Sequence, residues 1–260
     1  GLRRAVAPEA AFYEGDVANG SLLRTVLEFH QVSAIIHLAA SRSGVGTVGV
    51  DPVPIYRNNL FALLSVLDGA IACGVANVLL SSTANAASCA LGTSATPEFV
   101  DPYARSTGFE EQILRDCAAA HGFGYGIVRH VELTGGDGTE SFPRSAGGYV
   151  NLIQESAQVA LGRRPMASLR TAEDTRDGTA IRAYIHVRDL AQALVAALDQ
   201  LQNASLSSIE LDCSYGRGFS YLEVLQATER VTNTRIPYVS RSLAPGEPAV
   251  LVADPSATAK

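Results

Sequence analysis

Apolar residues recur along this chain in two alternating rhythms, short unbroken runs and longer stretches at helical spacing. Val78-Leu79-Leu80 is an unbroken run that reads as a buried strand, which puts Ser81, Ser82 and Thr83 at its C-terminal end. Asp101-Pro102-Tyr103 then opens a helix, with Asp101 as N-cap and Pro102 at the first helical position. Phe109, Ile113, Leu114 and Cys117 follow at helical spacing, and residues 124–129 read as the next strand. Upstream, residues 12–17 predict a strand. Asn19 predicts the cap of a helix whose apolar face holds Leu22, Leu23, Val26 and Leu27. Residues 34–40 predict a strand buried on both faces, and residues 56–74 a long helix with Leu60, Leu63, Leu64, Leu67 and Ile71 on one side.

Beyond residue 130 the pattern is mixed. The spacing predicts a helix over 149–161 closed by Gly162, a polar loop over 165–180 and a strand around Tyr184-Ile185-His186. A helix follows from Val187, with Leu190, Leu194, Leu198 and Leu201 on one face, then a strand at Ile209-Glu210-Leu211. A last helix opens on the Ser220/Glu223 capping box. Strands alternating with helices predict an α/β fold with a doubly wound parallel sheet over residues 1–150. A smaller mixed α/β lobe is expected over 151–260, the two interleaving.

Composition narrows this picture a little. An apolar share of 47% and a charged share of 18% fit a globular chain with ample core. The net charge of −6, with no compensating run of Lys and Arg, argues against a nucleic-acid surface. No apolar run reaches the roughly 20 residues that span a bilayer, so no membrane segment is expected. Cys73, Cys89, Cys117 and Cys213 are scattered, without C-x-x-C spacing, which reads as reduced thiols in a cytoplasmic protein. The five histidines lack metal-ligand spacing, and His186 reads as a core histidine in a strand.

The candidate chemistry gathers where a strand end faces a helix start. A hydroxyl cluster at 81–83 and Tyr103 form either a proton-transfer pair or, more plainly, a capped helix with a half-buried tyrosine. Thr107 lies one turn beyond Tyr103 on the same face. Ala39-Ala40 are small residues after a strand, which suits either a ligand or tight packing. The glycines at 44, 46 and 49 lack the spacing of a phosphate loop.

Taken in order, these signals resemble the extended short-chain dehydrogenase/reductases, and among them the UDP-glucose 4-epimerase family. The likeness runs over residues 10–254. It is carried by Tyr56-Arg57-Asn58-Asn59, Asn151-Leu152, the 158–164 segment, Asp177-Gly178-Thr179 and the 182–190 segment. The resemblance implies a Rossmann-like sheet, a substrate-binding lobe, NAD as cofactor, a nucleotide-diphosphate sugar as substrate and a homodimer. It implies Tyr103 as proton-transfer group with Thr83 as relay. Asp16, Val17, Ala39, Ala40, Arg42, Asn58 and Ser81 would lie at the cofactor, and Glu132, Asn151, Leu152 and Arg182 at the substrate.

Several positions depart from the family pattern. No G-x-x-G-x-x-G turn occurs in the sequence, so the sheet is expected to lack its N-terminal βαβ start and to expose an edge at residues 34–38. The chain accordingly reads as trimmed at both ends, and by itself is expected not to retain NAD. Thr107 replaces the lysine of Tyr-x-x-x-Lys. A cation about 5 Å from a phenol, at an effective dielectric of about 20, favours the phenolate by roughly 3 kcal/mol. Glu132, Ala183 and Ala244 also replace the family's asparagine, aspartate and arginine. These departures predict an epimerase-like protein with lost or impaired turnover, or else a non-catalytic relative acting through binding or association.

Overall fold

The computed structural model describes residues 6–42, 51–84, 86, 101–136, 150–203, 207–244 and 247–253. Its centre is a four-stranded parallel sheet in the order β1-β2-β3-β7, built from β1 (Ala34–His37), β2 (Asn77–Thr83), β3 (Gly124–His130) and β7 (Ser208–Cys213). Helices α2 (Val53–Cys73) and α3 (Pro102–His121) cover one face, and α5 (Val187–Asn203) the other. The alternation along β2 makes this possible. Val78 and Leu80 pack with Leu63, Leu67 and Leu114, while Leu79 packs with Leu190, Leu194 and Leu201. A strand apolar on both sides can be covered on both, and that is the doubly wound arrangement.

A second lobe holds α4 (Leu152–Ala160), β5 (Ala167–Thr171), β6 (Ile181–His186), β8 (Gly218–Ser220), α6 (Tyr221–Thr232), β9 (Tyr238–Ser242) and β10 (Val250–Leu251). Strand β6 pairs with β10, with β8 and with the short β4 (Glu132–Thr134), while β5 pairs with β9. Residues from both sides of position 150 share the main sheet, because β7 and α5 return to it.

The caps form as the sequence dictates. Asn19 accepts from Leu22 N at the start of α1 (Gly20–His30), Asp101 from Tyr103 N, and Ser220 with Glu223 closes a capping box. Gly74 ends α2 in the left-handed conformation at φ 67°. Four elements differ from expectation. Residues 12–17 form no strand, since among the described residues no strand lies beyond β1 to pair with them. Strand β1 is short and only half buried, with Leu38 exposed, because it pairs only with β2 among the described residues. Helix α4 starts at Leu152, where Asn151 and Gln154 form a capping box; Tyr149 lies outside the described residues. The expected loop at 165–180 contains β5, whose Ala167 and Leu169 are buried in the second lobe's core.

Candidate active site

The C-terminal ends of β1, β2 and β3 converge on the start of α3. Tyr103, the second residue of α3, is buried, and the Arg42 guanidinium lies over its ring with Cζ 4.9 Å from the ring centroid. A buried brace joins the two segments. Asn59, fully buried on α2, accepts from Ser41 N at 2.7 Å, donates to Ser41 O at 3.3 Å and donates to Ser106 Oγ at 2.9 Å. Ser106 Oγ in turn donates to Tyr103 O at 2.8 Å. The backbone beside Arg42 is thereby tied to the first turn of α3.

Thr107 stands fully buried behind Tyr103, and its hydroxyl donates to Tyr103 O at 2.9 Å. Burial pushes the Tyr103 phenol above its ordinary pKa. Arg42 and the Thr107 hydroxyl pull it back, while Glu110 and Asp101 add to the rise. Burial likewise raises the Asp101 carboxyl, and its capping bond and Arg42 oppose the rise. His130, at the end of β3, is held below its ordinary range by burial, with Arg42 contributing. Arg42 thus acts on three groups around the strand ends.

The hydroxyl cluster divides. Ser82 is fully buried and donates to Glu111 Oε1 at 2.5 Å, whereas Ser81 and Thr83 are half-buried on the other side of β2. Glu111 is itself buried and takes Arg129 on both oxygens at 2.8 and 2.7 Å. Arg129 and Arg115 also reach Glu210, so β2, α3, β3 and β7 are tied by one charged cluster. Arg129 is thereby committed away from Tyr103.

Of the positions at the cofactor end, Asp16 accepts from Ala18 N at 2.9 Å and is exposed, and Val17 packs at the margin of the core. Ala39 and Ala40 are exposed just past β1, and Asn58 is exposed on α2 and donates to Asn59. Among the described residues, two exposed alanines with no side chain beyond Cβ leave these strand ends uncovered, which fits a flat dinucleotide.

At the second-lobe side, Asn151 caps α4 and donates to Leu133 O at 2.7 Å, and Leu152 is buried in the lobe's core. Arg182 is buried on β6 and donates to Glu247 Oε1 at 2.9 Å and to the carbonyls of Ile181 and Ala249. Glu132, half-buried on β4, adds to the raised pKa of Tyr184 and Tyr221, which burial chiefly sets; Arg182 opposes it in both. His186 is half-buried at the end of β6, accepts from Arg188 N and leans on Gly135, whose φ is 88°.

Sequence reasoning missed the Arg42–Tyr103 stack, the Asn59–Ser106 brace and the Glu111–Arg129 cluster. One signal was present. Two adjacent acids at 110 and 111 stand in a helix whose spacing requires a buried face.

The model of the NAD dependent epimerase/dehydratase family matches residues 2–209. The chain belongs to that family. It is 37% identical over 258 residues to a UDP-glucose 4-epimerase of Azospirillum brasilense, covering 97% of this chain and 74% of that protein. A crystal structure of UDP-glucose 4-epimerase from Brucella ovis in complex with NAD matches at a TM-score of 0.84 and 31% identity, over 96% of this chain and 78% of that one. The enzyme from Bifidobacterium longum, solved with NAD+ and UDP, matches at 0.83 and 30%, over 94% and 74%. The epimerase family thus accounts for the fold, for the crevice at the strand ends and for NAD as the family's cofactor.

Proposed function

We propose that this is a UDP-glucose 4-epimerase-type protein in which Tyr103 exchanges the proton of the sugar 4-hydroxyl, with turnover well below that of a lysine-assisted phenol. The observation that carries this is the pairing at the helix start. Tyr103 is buried at the crevice with a raised pKa, and the residue one turn on is a buried threonine bonded to backbone. When bound, NAD would supply reversible hydride acceptance from the sugar C4. Asp16, Val17, Ala39, Ala40, Arg42, Asn58 and Ser81 would hold it, and Thr83 would relay the proton. Arg182, with Glu132, Asn151 and Leu152, would meet the nucleotide diphosphate. We further propose a cytoplasmic homodimer that binds neither nucleic acid nor membrane. The unpatterned cysteines support the compartment, and among the described residues no helix is long and apolar enough to cross a membrane.

The second reading is a non-catalytic relative. What favours it is Arg182, whose guanidinium is occupied by Glu247, so a diphosphate would have to displace a carboxylate.

Thr107→Lys tests the first reading. It is made alongside Glu110→Gln, so that the new ammonium is not neutralised by the carboxyl one turn away. With NAD supplied, interconversion of UDP-galactose and UDP-glucose is expected to rise about 10²-fold over the parent, the kinetic equivalent of roughly 3 kcal/mol. A folded variant no faster than its parent would count against the epimerase reading and for the non-catalytic one.

A further inference from the structure

We propose that Arg42 is the positioning cation for the Tyr103 phenol, standing across the crevice where α3 has Thr107 one turn beyond the tyrosine. The inference rests on Tyr103 as the proton-transfer group and adds the residue that tunes it. Three observations carry it. The Arg42 guanidinium lies 4.9 Å from the centre of the Tyr103 ring. The residue before it is clamped to α3 through Asn59 and Ser106, so the stack is held by buried hydrogen bonds rather than by a free loop. Arg129, on β3, is bound by Glu111 and Glu210.

The charges around the phenol set the balance. Arg42 reaches it from the segment after β1, Asp101 from the N-cap of α3, and Glu110 from the same helix two turns on. The Thr107 hydroxyl adds a hydrogen bond. Arg42 also bears on Asp101 and His130, so its charge is shared among an acid, a phenol and an imidazole. A guanidinium suits this place. It stays charged when half-buried, and its flat face stacks on a ring in a way an ammonium does not.

The test reads the phenol directly and needs no turnover. Difluorotyrosine, more acidic than tyrosine, is placed at position 103 and titrated by fluorine NMR across the range in which the protein stays folded. Arg42→Gln is expected to raise the midpoint by about one pH unit, a tenfold weaker acid, and Arg42→Lys to hold it within a few tenths of a unit. Asn59→Ala, which loosens the brace without removing charge, is expected to move it the same way by less. A midpoint unmoved by Arg42→Gln in a protein of unchanged circular dichroism overturns the assignment, even if epimerisation is observed. A raised midpoint in a protein with no epimerisation upholds it and counts only against the epimerase reading.

Discussion

Position 110 puts a carboxyl on the buried side of α3, three residues beyond Thr107. Glu110 is 1% exposed, its Oε1 meets no hydrogen-bond partner among the described residues, and burial, with Glu111 beside it, pushes its pKa up to about 8. The folded protein therefore keeps a proton that the unfolded chain releases near its ordinary value. Folding binds the extra proton, so stability falls as pH rises from about 4.5 through 8. The loss is on the order of 5 kcal/mol for this group. His37 works in the opposite direction. Burial lowers it to about 4, so the unfolded chain binds the proton first and stability falls as pH drops below the ordinary histidine value. The two together place maximal stability near weakly acidic pH. Glu110→Gln is expected to remove the loss on the alkaline side and leave the acidic side intact. Urea unfolding at about pH 5, 7 and 9 measures it, and parallel profiles for variant and parent would refute the burial of an unpaired carboxyl.

Elements are joined here by charge as well as by apolar packing. The cluster of Glu111, Arg129, Arg115 and Glu210, with Ser82 on Glu111, ties α3 to three strands of the sheet. Arg129 is only 11% exposed in its side chain and Glu111 2%, so water screens this pair little. Removing Glu111 takes away both of its bonds to Arg129 and the acceptor of the buried Ser82 hydroxyl, leaving Arg129 to Glu210 in a poorly solvated site. Glu111→Ala is accordingly expected to lower stability by about 3 kcal/mol. Arg24→Ala, which breaks an exposed pair on α1, is expected to leave it unchanged within error. Equal losses in the two variants, measured by urea unfolding, would show that the cluster is not buried in solution.

At the scale of the whole molecule, two surfaces stand out as uncovered among the described residues. Helices α2 and α3 pack on each other, with Tyr56 and Phe109 rings 6.3 Å apart, and turn Phe61, Leu64 and Phe109 outward at 56%, 41% and 40% exposure. The sheet takes Leu63, Val66, Leu67 and Ala70 from α2, so the apolar stripe is wider than the core consumes. The proposed homodimer would bury this outward face against its copy about a two-fold axis. The second surface is the edge of β1 that no described strand pairs, a route to disordered association. Leu64→Glu with Phe109→Asp is expected to convert a dimer to a monomer with unchanged circular dichroism, seen by sedimentation. A parent that is monomeric at high concentration would defeat the dimer, and association surviving the double substitution would point to the β1 edge.

The sequence by itself determined what depends on near neighbours. Asn19, Asp101 and Ser220 cap their helices because a cap needs only residues two or three positions away. The apolar run at 78–80 became a strand between two layers because its residues leave no polar face to solvent. The position of Tyr103 at a strand-end crevice was legible for the same reasons. Tertiary structure decided whatever depends on a distant partner. Residues 12–17 have strand character but no strand beside them among the described residues, and a strand without a ladder does not form. The short strand at 167–171 was hidden in a polar stretch until β9, some seventy residues on, supplied its hydrogen bonds. Arg42 and Tyr103 stand 61 positions apart in the chain and meet only because β1 ends where α3 begins. Charge at a distance is a property of the fold, and no local pattern records it.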